Sequence, residues 1–308
     1  MLISDNLGGK FGGVLLRLKS YLVNKMLNSW EQSDREKLNN KPVPNGVAEN
    51  NDVAYAADNI RGHLLDTYYP SQVEKKLPVL IDIHGGGFMS GDKELNRLFG
   101  LHMAKRGFLV FNLNYRLALS GVKVANQIND ISIATKWIGE NLDRLGGDYH
   151  NILLCGHSAG AVLAVIEALN STSPRLRKIY GVSENVLTYK GLLLDCGMMA
   201  FYQNTIGYWG MRTMVFEKGY RHKENYKNMI WAQIPELSSL PKTFLISNKG
   251  DELKSMTLQF KDILDRNKVE NVLDFQINCA LGHMAIIYDA GSKECSDIID
   301  RAIEYLLE

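Results

Sequence analysis

The pentapeptide Gly156-His157-Ser158-Ala159-Gly160 constrains this chain more than any other stretch, because of what flanks it. Before it runs Asn151-Ile152-Leu153-Leu154-Cys155, a short apolar segment of the kind that forms a strand buried on both faces. After it runs Ala161-Val162-Leu163-Ala164-Val165-Ile166-Glu167-Ala168-Leu169, which reads as a helix. A serine between two glycines at a strand-to-helix turn sits on strained backbone with its hydroxyl above the sheet. The bare motif is weak, since a chain with 27 glycines in 308 residues holds one by chance in about one case in seven. The strand and helix around it make it informative. A second motif, His84-Gly85-Gly86-Gly87, ends the apolar run Leu77-Pro78-Val79-Leu80-Ile81-Asp82-Ile83 upstream. Such a loop can aim bare backbone N–H groups at a developing oxyanion. The pair reads as an acyl-transfer site.

From residue 52 onward, strand and helix patterns alternate. Strands are expected near 52–57, 63–69, 78–84, 108–114, 151–156, 190–195, 242–248 and 272–279. Helices are expected near 94–106, 123–145, 159–170, 252–267 and 293–307. Apolar strands alternating with helices imply an α/β fold with a mainly parallel sheet flanked by helices, and one domain over 1–308. Catalytic groups then belong at the carboxyl ends of the strands, where both glycine motifs lie.

Two segments stand outside the alternation. Residues 14–38 form a helical pattern in which Val14, Leu15, Leu18, Leu22, Met26 and Trp30 share a face, and Lys41-Pro42-Val43-Pro44-Asn45-Gly46 breaks it. Residues 197–238 are too long for a structureless connection and are rich in Met and aromatic residues. The helix over 14–38 is expected to cover a core rather than lie on a membrane, and segment 197–238 to form a helical cap over an apolar pocket. Met198, Phe201, Tyr202 and Trp209 are candidate substrate-binding residues, together with Phe88 beside the first motif and His157 beside the serine. An insertion of ~40 residues without a long apolar groove pattern suits a compact pocket and short acyl chains.

A serine hydroxyl needs a base within hydrogen-bond reach and an acid to orient that base. Only His222 and His283 follow Ser158. His283 lies just past the last expected strand, in Ala280-Leu281-Gly282-His283-Met284, and is the expected base; His222 lies in a polar run and reads as a surface residue. For the acid, Asp251 follows the strand Thr243-Phe244-Leu245-Ile246-Ser247, and Asp195, ending Leu192-Leu193-Leu194, is its rival. No metal-ligand spacing, Walker loop or dinucleotide fingerprint occurs, so no metal and no cofactor is expected.

Composition bounds the partners. Net charge is +1 without blocks of like charge, which gives no reason to expect nucleic acid. No stretch approaches ~18 uncharged apolar residues, and the first residues do not resemble a signal peptide, so stable membrane insertion is not expected. Four cysteines, three of them ending apolar runs and Cys295 in a polar stretch, suggest reduced thiols and a cytoplasmic location. The expected partner is a small-molecule ester, and a homodimer is a candidate assembly.

The chain resembles the α/β-hydrolase superfamily, specifically carboxylesterases of the hormone-sensitive-lipase type and the related feruloyl/acetyl esterases and kynurenine formamidase-like enzymes. The likeness runs from about residue 52 to the C-terminus. It rests on His84-Gly85-Gly86-Gly87-Phe88, Asn114-Tyr115-Arg116-Leu117-Ala118, the serine pentapeptide, Gly250-Asp251-Glu252-Leu253 and Gly282-His283. It implies oxyanion donors at the N–H groups of Gly86, Gly87 and Ala159, a cap formed by residues 1–45 and 197–238, Asp251 as the acid, and esterase activity. His157 replaces the aspartate usual before the serine in the hormone-sensitive-lipase type, Ala161 replaces a glycine, and Leu119-Ser120 replaces Pro-Glu. These departures leave an amidase, formamidase or peptidase-like hydrolase as alternatives, and a non-catalytic binding protein on the same fold as another.

Overall fold

A computed structural model describes residues 23, 25–118, 121–203, 206–277 and 281–308. The chain divides into two compact units, Met1–Asn40 and Lys41–Glu308. In the first, residues 25–38 form a helix (α1), part of the helix expected over 14–38. Residues 14–22 and 24 lie outside the described residues, as does most of the candidate cap segment 1–45.

The second unit is built on one eight-stranded sheet. Its strands are β1 (Val47–Ala54), β2 (Leu64–Pro70), β3 (Leu77–Ile83), β4 (Leu109–Leu113), β5 (Gly147–His157), β6 (Gly191–Asp195), β7 (Lys242–Asn248) and β8 (Asn271–Gln276). Their order is β1-β2-β4-β3-β5-β6-β7-β8. The pairings of β2 with β1 and β4 are antiparallel, and all those from β4 to β8 are parallel. Parallel strands covered on both faces must be apolar throughout, and Val79, Leu80, Ile81 and Ile83 of β3 are fully buried. β1 starts five residues earlier than the 52–57 expected from pattern. It is a mostly exposed edge strand with a register shift between Asn50 and Val53, so no apolar run marks its start.

The crossover helices are α2 (Arg97–Lys105), α3 (Val124–Asn141), α4 (Ala159–Thr172), α5 (Pro174–Tyr180) and, after the segment 197–238, α8 (Lys254–Arg266). The chain ends in α9 (Ala285–Tyr288) and α10 (Lys293–Leu307). α5 has no counterpart in the sequence reading; it is short, capped by the Ser173 side chain and started by Pro174. Cys295, expected in polar surroundings, is buried because it lies on the inner face of α10. Cys155, Cys196 and Cys295 carry free thiols, and Cys279 lies outside the described residues.

α4 is buried along nearly its whole length, and the glycines flanking the serine explain how it sits so close to the sheet. A methyl group on Gly160 would stand 2.2 Å from the Ile83 carbonyl oxygen, and one on Gly156 2.4 Å from that of Gly160. Neither neighbour is a side chain that could swing away, so only glycine allows helix and strand to meet here. The register then fixes the site. Ile83 pairs with Gly156, His157 with Asp195, and Asp195 with Ile246, which brings the carboxyl ends of β3, β5, β6 and β7 side by side.

Between β6 and β7 lie α6 (Ile206–Val215), α7 (Glu224–Lys227) and several single turns of 3-10 helix. The segment is thus helical, as expected for 197–238. Its inner part is tied down by two buried side chains. Trp231 Nε1 donates to the Met199 carbonyl at 2.6 Å, and Arg212 Nη1 donates to the carbonyls of Phe201 and Gln203, each at 2.6 Å.

Candidate active site

Ser158 follows β5 and caps the start of α4 with φ 53° and ψ −113°. That conformation is strained for any residue with a side chain and costs about 1–3 kcal/mol. Two backbone bonds hold the turn: Ser158 N donates to the Asp195 carbonyl at 2.9 Å, and Met198 N donates to the Ser158 carbonyl at 3.0 Å. The first glycine loop and the last strand's loop close on the same point. A methyl group on Gly85 would lie 3.2 Å from Ser158 Cβ and 3.0 Å from the sulfur of Met284, the residue after His283.

His283 and Asp251 meet across these loops, with Nδ1 and Oδ1 2.8 Å apart. Asp251 is buried and saturated: Leu253 N donates to Oδ1 at 2.9 Å, and Ser247 Oγ donates to Oδ2 at 2.7 Å. Burial raises the pKa of this carboxyl, but the His283 and Ser247 hydrogen bonds outweigh burial and leave it below the ordinary aspartate value. The His283 side chain remains 21% exposed. Asn248 joins the two loops. Its Nδ2 donates to the Gly282 carbonyl at 2.8 Å, while its Oδ1 accepts from Gly282 N at 3.1 Å and Gly250 N at 2.9 Å.

The His84–Gly87 loop is braced by Tyr115. The rings of His84 and Tyr115 stack at 4.3 Å, and the Tyr115 hydroxyl donates to the His84 carbonyl at 2.9 Å. Burial lowers the pKa of His84, so its imidazole is neutral. The Gly86 carbonyl accepts from Met89 N and Ser90 N, forming the turn. Among the described residues nothing accepts from the N–H groups of Gly86 or Gly87.

Asp195, the rival acid, is engaged elsewhere. Its Oδ2 lies 2.9 Å from His157 Nδ1, while His157 Nε2 lies 3.0 Å from Asp82 Oδ1. Strand alternation puts Cys155 and His157 on one face of β5, and the register sets Asp82 and Asp195 beside them on neighbouring strands. Asn96 donates to Asp82 Oδ2 at 2.8 Å, and Phe99 of α2 packs edge-on against the imidazole. This face is the one opposite α4. His157 is therefore removed from the substrate-contacting set: it is fully buried, both ring nitrogens are occupied, and it lies beneath the sheet rather than in the cleft. Burial alone would lower its pKa, but Cys155 and the carboxylates of Asp82 and Asp195 hold it well above the ordinary histidine value.

The His157 imidazolium consequently stabilises the fold. A raised folded pKa means that this contribution is complete below the unfolded value of about 6.5 and is lost as pH rises through the folded one. His157→Gln leaves two buried carboxylates without their cation and should cost about 3–5 kcal/mol. Thermal melts of the variant and parent from neutral to alkaline pH test this, and equal melting temperatures at pH 7 would refute it.

Of the remaining predicted residues, Phe88 is buried with its ring 5.7 Å from that of Phe201, and Phe201 stacks on Phe216 at 6.0 Å. Tyr202 meets Phe201 edge-on at 6.1 Å. Met198 is next to the serine through its backbone bond. Trp209 stands 54% exposed on α6, and His222 is exposed as expected. Asp82, Ser247 and Asn248 were not singled out for this site from the sequence. The one visible signal was Asp82, a carboxylate inside an otherwise apolar strand.

Esterase B from Lactobacillus rhamnosis superposes with a TM-score of 0.84 at 24% identity, covering 94% of this chain and 96% of that one. A bacterial heroin esterase superposes with a TM-score of 0.71 at 20% identity, covering 91% and 89%. The chain has the α/β-hydrolase fold. The BD-FAE family model matches residues 65–191 of this chain, a span with both glycine motifs that ends before Asp251 and His283. Among sequence relatives, the isoprenylcysteine alpha-carbonyl methylesterase of Arabidopsis thaliana is 32% identical over 113 residues, 37% of this chain and 26% of that protein. The para-nitrobenzyl esterase of Bacillus subtilis is 33% identical over 109 residues, 32% and 22% of the two chains. The chain thus spans about a quarter of the length of these relatives. Among the described residues no helix is long and apolar enough to cross a membrane.

Proposed function

We propose that this chain is a serine carboxylesterase that cleaves short-chain esters through an acyl-enzyme. The observation that carries the reading is the strained Ser158 turn, closed upon by the His283 loop, with His283 paired at 2.8 Å to a saturated, buried Asp251. In this reading His283 takes the Ser158 proton as the hydroxyl attacks the acyl carbonyl. Asp251 fixes the imidazole tautomer and stabilises the imidazolium. The developing oxyanion is received by the N–H groups of Gly86 and Gly87, which have no acceptor among the described residues, and of Ala159, whose N–H opens α4 and has no helical acceptor. His283 then returns its proton to the departing alcohol, and water repeats the sequence to release the acid. The three free thiols support a reducing, cytoplasmic setting.

Phe88, Met198, Phe201 and Tyr202 are taken as the acyl wall, with Trp209 at the cap's exposed rim. Phe201 is held by Arg212 from behind and stacked on Phe216, so the wall has little freedom to open for a long chain. Butanoyl esters are therefore expected to turn over faster than dodecanoyl esters. A series of p-nitrophenyl esters from acetate to palmitate, with a matched amide, tests both expectations. Faster dodecanoyl turnover would overturn the chain-length assignment, and faster cleavage of the amide would make the protein an amidase.

A further inference from the structure

Cys196 stands immediately behind the Asp251–His283 pair. Its sulfur, a carboxylate oxygen of Asp251 and a ring nitrogen of His283 all lie within 4.8 Å of one another. The three come from three separate strand ends, and each is anchored. Cys196 follows β6 at φ 49°, with its N–H donating to the Ile246 carbonyl of β7 at 2.9 Å. The Met284 N–H, next to His283, donates to the Cys196 sulfur at 3.3 Å. We propose that Cys196, Asp251 and His283 form an inhibitory binding site for a thiophilic divalent cation such as Zn²⁺ or Cd²⁺.

The donor chemistry selects the class of ion. Sulfur, imidazole nitrogen and carboxylate oxygen are zinc's ligands, at ~2.0–2.3 Å from the metal, which sets neighbouring ligand atoms ~3–4 Å apart. Small side-chain shifts within the 4.8 Å cluster reach that spacing, and water can take the fourth position. Mg²⁺ and Ca²⁺ prefer oxygen and gain nothing from the thiol. The Met284 N–H already points at the sulfur, as a donor that a metal-bound thiolate would accept. Without metal the sulfur is a bystander: burial, with Asp195 and Asp251 close by, holds the thiol well above its ordinary pKa and keeps it protonated. His283 is the partly exposed member, so the ion enters past its ring.

Binding replaces the thiol proton with the metal, and that proton leaves to solvent. If the metal takes Nδ1, the proton on that nitrogen moves to Nε2 and fills the lone pair needed to accept the serine proton. If it takes Nε2, the metal occupies that lone pair itself. Either way the base is lost without any change to Ser158. The inhibition rests on reading Asp251 and His283 as the acid–base pair; the binding itself does not.

The test has an activity arm and a binding arm. Micromolar Zn²⁺ or Cd²⁺ should inhibit butanoyl ester turnover, EDTA should restore it, and Mg²⁺ should have no effect. Cys196→Ala removes one direct ligand and should weaken Zn²⁺ and Cd²⁺ inhibition by at least ~10-fold while preserving basal turnover. Cys196→Ser keeps the side-chain volume with a harder donor, and should show the same loss if the alanine variant folds poorly. In the binding arm, Cd²⁺ added to Ser158→Ala should give a thiolate-to-metal charge-transfer band in the ultraviolet, absent from Ser158→Ala/Cys196→Ala. Unchanged metal sensitivity in both Cys196 variants, or no band with Ser158→Ala, overturns the site. If the parent shows no ester turnover but the band appears, the esterase reading fails and the metal site stands.

Discussion

Replacing Ser158 by alanine is expected to lower kcat on a butanoyl ester by roughly 10⁴–10⁶-fold while leaving the chain folded. The size follows from what is removed. Without the hydroxyl no acyl-enzyme forms, and only the oxyanion donors and binding remain to assist direct attack by water, a residue of about 10³–10⁴ over the uncatalysed rate. The fold should survive because the contacts holding the turn are backbone bonds from Ser158 N to Asp195 and from Met198 N to the Ser158 carbonyl, neither of which involves Oγ. Alanine keeps the strain at φ 53°, so its melting temperature should stay close to the parent's. Glycine should be equally inactive but relieve the strain of about 1–3 kcal/mol, against about 0.5–1 kcal/mol of added chain entropy. Ser158→Gly should therefore melt at or above the parent. Parental turnover in a carefully purified Ser158→Ala preparation would remove the serine from the mechanism.

The parts of this site that could be read from sequence are those in which a few adjacent residues carry the physical demand. Gly156 and Gly160 are legible because helix, strand and serine turn collide without them, and all three lie within one short stretch. Asp251 and His283 are legible because each follows an apolar strand, and parallel strands must bring such ends to one edge. His157 was misplaced for the opposite reason. Its partners Asp82 and Asp195 sit on two other strands, and only the register reveals that all three share a face. From the chain alone, His157 is simply the neighbour of the nucleophile. Asn248 is hidden in the same way, since its tie to Gly282 crosses 34 positions of sequence. β1 shows the other limit: an exposed, polar edge strand has no hydrophobic pattern by which to announce its start.

The same pairing turns the contest between Asp251 and Asp195 into two distinct losses. Asp251→Asn should reduce kcat on the order of 10⁴-fold with little change in melting temperature. The amide keeps the shape between Ser247, Leu253 and His283, but it carries no charge to stabilise the imidazolium, and its NH₂ can hold the imidazole in the wrong tautomer. Asp195→Asn should do the reverse. It withdraws one of the two carboxylates that sandwich the buried His157 imidazolium, which should cost about 3 kcal/mol of stability. The backbone bond from Ser158 N to the Asp195 carbonyl is unaffected, so each folded molecule should keep kcat within about tenfold of the parent. Titrating active sites with a phosphonate counts the competent molecules and separates the two effects, since lost folding lowers the titre and lost catalysis lowers turnover per site. If Asp195→Asn proves to be the variant with full titre and crippled turnover, while Asp251→Asn merely melts early, the acid belongs to β6 and the assignment of Asp251 is wrong.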